Sequence, residues 1–135
     1  MTNPQEAGTG SEVVLVVEDE ATVRAPIARK LRHEGYFVLE ASNGEDAIQV
    51  MQDYHSPVHC VVTDVMMPEM KGTELVEMLR SWYPQTRVLF ISGLPPHLAG
   101  IDYEAIGGAG FLSKPFALTT LAEKVRQLLD TKWGQ

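Results

Sequence analysis

Val13-Val14-Leu15-Val16-Val17, followed at once by Glu18-Asp19-Glu20, decides the architecture. Five apolar residues in a row, four of them β-branched, are too uniformly apolar for a strand with one wet face. Such runs suit a parallel strand covered by helices on both sides. The acids that follow mark where that strand leaves the core.

Working outward, Val23, Ile27 and Leu31 recur at four-residue spacing with Arg24, Arg29, Lys30 and Arg32 between them. That spacing predicts an amphipathic helix stopped by Gly35. Pro26 is tolerable in it only if the helix starts near Thr22, so that the missing N–H falls in or beside the first turn. The alternation then repeats. Tyr36 to Leu39 reads as a strand, and Ser42-Asn43-Gly44 as a turn into a helix through Ala47, Ile48 and Met51. Val58 to Thr63 is a buried strand, followed by a helix carrying Leu75, Val76 and Leu79. Val88 to Ile91 is a fourth strand, Leu98 to Ile106 a weak helix, and Gly110 to Leu112 a short fifth strand. The last helix aligns Leu118, Leu121, Val125, Leu128 and Leu129 on one face. Five strand–helix units predict an α/β fold: a doubly wound (βα)5 parallel five-stranded sheet of flavodoxin-like order 2-1-3-4-5. The dinucleotide-binding order lacks support, because no G-x-G-x-x-G follows the first strand.

The bulk numbers fit one such domain. Of 135 residues, 44% are apolar and 21% charged, an ordinary globular composition. Eighteen acids against eleven bases leave a formal charge of −7, which argues against a nucleic-acid footprint. Cys60 is the lone cysteine; its apolar run makes it a buried filler rather than a reactive thiol. Residues 1–11 read as a flexible linker or tag remnant, 12–130 as the domain and 131–135 as a tail. Nothing resembles a signal peptide or the ~20-residue apolar span of a membrane helix. The expected location is the cytoplasm.

In an open parallel sheet, sites form at the carboxyl ends of the strands. There the chain delivers Glu18-Asp19-Glu20, Asp64, Ser92-Gly93 and Ser113-Lys114-Pro115. Taken singly, Asp19 could be a helix cap, Lys114 a solvated surface residue and Ser92 a turn residue. Together they are different. Crowded carboxylates raise each other's pKa unless a cation holds them ionised. Oxygen ligands suit Mg²⁺, and a lysine and a hydroxyl beside it would complete a phosphoryl pocket.

Val16-Val17-Glu18-Asp19-Glu20, Val62-Thr63-Asp64-Val65-Met66-Met67-Pro68, Phe90-Ile91-Ser92-Gly93 and Phe111-Leu112-Ser113-Lys114-Pro115-Phe116 resemble the receiver domains of bacterial response regulators and hybrid histidine kinases. The likeness spans Glu12 to Asp130. It implies a two-component phosphoacceptor that is not an enzyme in the ordinary sense but assists its own phosphorylation and dephosphorylation. Asp64 would be the phosphorylated residue. Asp19 would ligate Mg²⁺ directly, Glu18 mainly through water, and Met66 through its backbone carbonyl, with Asp64 as a further ligand. Ser92 and Lys114 would receive phosphoryl oxygens, and Phe111 would act as an aromatic switch with Ser92. The implied partners are a histidine kinase or phosphotransfer protein, and a second copy through the face from the fourth to the fifth helix. Neither nucleic-acid binding nor membrane insertion is expected of this domain.

Some positions depart from the common pattern. Glu18 stands where many relatives have Asp, Ser92 replaces the commoner Thr, and Phe111 the frequent Tyr. The resemblance also implies a cis Lys114–Pro115 bond. Met66 and Leu94, two residues beyond Asp64 and Ser92, are apolar and cannot orient an attacking water, so slow dephosphorylation is expected. Leu94 to Gly100 reads equally as a mobile element or a plain surface loop. The scattered histidines are assigned no site, Trp82 and Trp133 are read as packing residues, and Met66, Met67 and Met70 as loop packing. Two other readings stand beside the main one: a phosphorylation-independent pseudo-receiver, and an aspartyl phosphatase, which would want a second acid where Met66 stands. The chain runs about five residues past its last helix, as expected of a stand-alone regulator or of a hybrid-kinase receiver. Its Gly-rich start and Ile91-Ser92-Gly93 resemble the latter.

Overall fold

A computed structural model describes residues 12–95, 97 and 109–131 of the chain. In chain order the elements are β1 (Val13–Val17), α1 (Ala21–His33), β2 (Phe37–Ala41), α2 (Gly44–Asp53), β3 (Cys60–Asp64), α3 (Gly72–Trp82), β4 (Arg87–Ser92), β5 (Gly110–Ser113) and α4 (Leu118–Asp130). All strand pairs are parallel, in the order β2-β1-β3-β4-β5. This is the flavodoxin-like arrangement anticipated from the alternation. The weak helix expected over Leu98 to Ile106 lies outside the described residues, as do residues 1–11 and Trp133.

Because side chains alternate along a strand, β1 feeds two separate cores. Val14 and Val16 join Ile27, Leu31, Leu121 and Val125 beneath α1 and α4. Val13, Leu15 and Val17 join Ala47, Met51, Leu75 and Leu79 beneath α2 and α3. Every residue of β1 and β3 is buried, as their unbroken apolar runs require. The edge strand β2 is covered less completely, with Val38 and Ala41 buried and Glu40 exposed. Pro26 sits inside α1, which begins at Ala21; the helix therefore loses one hydrogen bond near its first turn and continues. Cys60 is fully buried and its thiol is pushed up to about 12 by burial, so it packs and does not react. Trp82 departs from expectation: it is the last residue of α3 and 48% exposed, past the point where that helix covers the sheet.

The amino end of the sheet is closed by side chains acting as backbone partners. His59 Nδ1 accepts from the Val13 amide at 2.9 Å, and Thr86 Oγ1 donates to the Val58 carbonyl at 2.7 Å. Arg126 pairs with Glu12 at 2.8 Å and lies over the Tyr36 ring. These ties hold the amino rim and leave the opposite rim, where the strand-end acids lie, open for chemistry.

Candidate functional site

Glu18, Asp64, Ser92 and Lys114 come from four different strand ends, and the parallel register brings all of them to one rim. The Glu18 amide extends the β1–β2 ladder by one residue, donating to Ala41 O at 3.1 Å. Asp64 closes β3 opposite Ile91 of β4, and Ser92 closes β4 opposite Ser113 of β5. The Lys114 amide then donates to Ser92 O at 2.8 Å, which turns the lysine back over β3. The Lys114–Pro115 bond at this turn is cis.

The lysine ammonium bridges two acids. Lys114 Nζ lies 2.7 Å from Asp64 Oδ2 and 3.2 Å from Glu18 Oε2. The second Asp64 oxygen, Oδ1, accepts from the Met66 amide at 3.0 Å, so the carboxylate is oriented at both ends. Glu18 is fully buried, and its Oε1 accepts from the Glu20 amide at 3.2 Å. Its longer arm thus folds back on its own loop while still reaching the lysine. Ser92, 1% exposed, accepts at Oγ from the Leu94 amide at 3.0 Å.

Charge at this rim is unbalanced. Burial, the neighbouring Asp64 charge and a hydrogen bond with Asp19 push the Glu18 carboxyl up to about 7. Burial opposes the Lys114 charge, but hydrogen bonds and charges from Asp64 and Glu18 outweigh it and hold the ammonium above its ordinary value. One lysine cannot compensate every acid present. Among the described residues, Glu18, Asp19 and Glu20 each bring a carboxylate oxygen within 4.8 Å of the others. Asp19 is not spent on a helix cap: the N-cap position of α1 is Glu20, which makes no side-chain capping bond. Oxygen donors around an uncompensated buried acid are the chemistry a hard divalent cation matches. Glu20 is the member of this group to which the strand-end pattern assigned no role, although its place beside Asp19 was the available signal.

Metal-free protein should pay for this crowding in a pH-dependent way. An acid whose folded-state pKa is raised contributes stability that is complete below its ordinary value of 4.5 and lost as pH climbs through about 7. In chelator, the melting temperature of wild type should fall from about pH 5 to about pH 8 relative to Glu18→Gln. Parallel profiles for the two proteins in thermal denaturation would show that Glu18 carries no such penalty.

The loop after β3 is fixed by close backbone approach. Gly72 N donates to Val65 O at 2.9 Å, and a Cβ at Gly72 would meet the Asp64 carbonyl oxygen at 2.3 Å. Gly72→Ala must therefore push the start of α3 away from the end of β3. The expected result is ~1–3 kcal/mol of lost stability on denaturant titration, with Asp64 displaced; a neutral substitution would show the loop to be pliant. Met67 is buried and Met70 packs against the core below α2 and α3, as loop packing requires. Met66 and Leu94 are 48% and 39% exposed. Phe111 is partly buried against Val65, Val76, Val88 and Phe90.

Residues 14–126 match the response regulator receiver domain family. The sensor kinase CckA of Brucella abortus (strain 2308) is 40% identical over 122 residues, covering 90% of this chain and 13% of that protein. The response regulator receiver protein CpdR of the same organism is 32% identical over 116 residues, covering 86% of this chain and 95% of CpdR. Among solved structures, the receiver domain of the hybrid histidine kinase CckA superposes with a TM-score of 0.74 at 39% identity, covering 87% of this chain and 99% of that one. The chemotaxis response regulator CheY4 of Vibrio cholerae gives 0.75 at 30% identity, covering 87% and 98%. The chain therefore spans a small part of one relative and nearly all of another. No helix among the described residues is long and apolar enough to cross a membrane.

Proposed function

The chain belongs to the response regulator receiver domain family, and from that premise we propose that it accepts a phosphoryl group on Asp64 from the phosphohistidine of a histidine kinase or phosphotransfer protein. The observation that carries the reading is the ammonium of Lys114 held 2.7 Å from one oxygen of a buried Asp64 whose other oxygen is fixed by the Met66 amide.

In the proposed step, an Asp64 carboxylate oxygen attacks phosphorus, the P–N bond breaks, and the leaving imidazole keeps the electron pair. Mg²⁺, held by Asp19, Asp64, the Met66 carbonyl and Glu18 through water, would neutralise charge on the transferring group. Lys114 would exchange its contact with Asp64 for one with a phosphoryl oxygen, and Ser92 Oγ would turn from the Leu94 amide toward another. Catalysis is then positioning and electrostatics, with little covalent work left to the protein. Ser92 movement would admit Phe111 further into its partly buried site. Full switching of a surface by such means needs about 5.5 kcal/mol of differential interaction.

The test is incubation with a small acyl phosphate and Mg²⁺, followed by peptide mass mapping. One phosphoryl group on the Asp64 peptide is expected; none, or one elsewhere, would overturn the reading. Because apolar Met66 and Leu94 flank the site, the phosphorylated form should persist for minutes or longer once donor is removed. Decay within seconds would show that water is oriented by another group.

A further inference from the structure

We propose that Arg24, at the end of the first turn of α1, is a positioning residue for the acceptor site, setting its affinity for a divalent cation through the backbone of the acidic loop. This rests on the acceptor reading above. Arg24 Nη1 donates to the Glu18 carbonyl at 2.7 Å, and its own amide donates to the Glu20 carbonyl at 2.9 Å. The second of these is the ordinary opening bond of the helix, so the hold that belongs to the arginine side chain is the one on the Glu18 carbonyl. The Glu18 peptide is held on both sides, its amide by Ala41 and its carbonyl by Arg24. With that carbonyl fixed, the direction in which Asp19 leaves β1 is fixed too.

The guanidinium is itself anchored. Arg24 Nε lies 3.4 Å from Glu40 Oε1 on β2, and Glu40 is shared with Arg32 at 3.2 Å. Arg32 in turn donates to the Val38 carbonyl at 3.1 Å. A chain of contacts thus runs from β2 across α1 to the backbone of Glu18. Glu40 shares the α1-covered face of β2 with buried Val38, and its own side chain is partly exposed. Arg24 is only 20% exposed, and it brings positive charge to the Glu18 carbonyl without occupying the Glu18 carboxylate. It satisfies the Glu18 carbonyl at the point where the β1–β2 ladder ends. Groups that orient ligands in this way typically change metal affinity by 10- to 100-fold when removed.

The experiment compares Arg24→Ala, Arg24→Lys and Glu40→Gln with wild type. Mg²⁺ affinity is read by calorimetry, amide exchange at residues 18–20 by mass spectrometry in chelator, and global stability by denaturant. Arg24→Ala should weaken Mg²⁺ on the order of tenfold and speed exchange of the Asp19 and Glu20 amides. Arg24→Lys, which keeps charge and one donor, should recover most of the affinity, and Glu40→Gln should lose a smaller part. Lower global stability with unchanged Mg²⁺ affinity would make Arg24 merely structural and overturn the proposal, as would unchanged exchange at residues 18–20. If Arg24→Ala does not fold, the Arg24→Lys and Glu40→Gln pair decides by the same readings. Wild type that binds Mg²⁺ but takes no phosphoryl group would sink the acceptor reading and leave the Arg24 assignment to stand or fall on binding and exchange.

Discussion

Asp64→Asn should take up no phosphoryl group from a small donor while remaining folded. The amide is nearly isosteric with the carboxyl, and its oxygen can keep the bond from the Met66 amide, which measures 3.0 Å in the native side chain. What it lacks is nucleophilic charge, and no neighbouring acid has the right placement to substitute. Glu18 is fully buried and already committed to the Glu20 amide and Lys114, whereas Asp19 and Glu20 face solvent. Labelling should therefore fall to background. A second effect should accompany it. Removing the Asp64 charge takes away one of the forces that push Glu18 up to about 7, so Glu18 should ionise at lower pH in the variant. Infrared or NMR titration of the Glu18 carboxyl would read that shift directly. Undiminished labelling of Asp64→Asn would place the acceptor elsewhere.

The central strands were legible because burial on both faces leaves an unbroken apolar run. Val13–Val17 and Cys60–Asp64 are unbroken in burial, and an apolar run as short as Val13–Val17 suits a strand covered on both faces and little else. The exposed Glu40 amid the apolar β2 residues similarly marks an edge. The site was legible for a different reason: in a parallel sheet, polar residues at the carboxyl ends of strands must gather at one rim, so Glu18, Asp64, Ser92 and Lys114 could be grouped without any pairwise signal. Contacts to backbone atoms leave no such trace. Nothing in the spacing of Arg24 among four basic residues of α1 distinguishes it from Arg29 or Arg32, yet it reaches the Glu18 carbonyl. Gly72 has the same character, since its need for a hydrogen side chain arises from a carbonyl eight residues earlier. Trp82 was illegible for want of geometry: its hydrophobicity argued for packing, but its position at the helix end leaves it half in solvent.

Lys114→Met should damage stability and chemistry together, and the pH dependence of the damage separates its causes. Lys114 is the cation that holds Glu18 and Asp64 in one pocket, at 3.2 and 2.7 Å. Removing one partner of a buried pair leaves uncompensated charge, worth about 3–5 kcal/mol when burial is complete. The lysine side chain is 25% exposed, so ~2–3 kcal/mol is expected in chelator near neutral pH. Without the lysine, Glu18 is held further above its ordinary value. Stability tied to a raised acid is complete at low pH and lost as pH rises, so the gap from wild type should widen from about pH 5 to about pH 8. Lys114's own raised value acts only above its ordinary 10.5 and leaves that window untouched. Mg²⁺ should narrow the gap by supplying charge to the same carboxylates. It should not restore the labelling rate, because the lysine is also proposed to take a phosphoryl oxygen, a contact typically worth about 10²–10³ in rate. Equilibrium denaturation with and without Mg²⁺ and a labelling time course give both readings from one protein. Wild-type labelling by Lys114→Met at saturating Mg²⁺ would confine the lysine to a structural role, holding two acids in place without touching the transferred group.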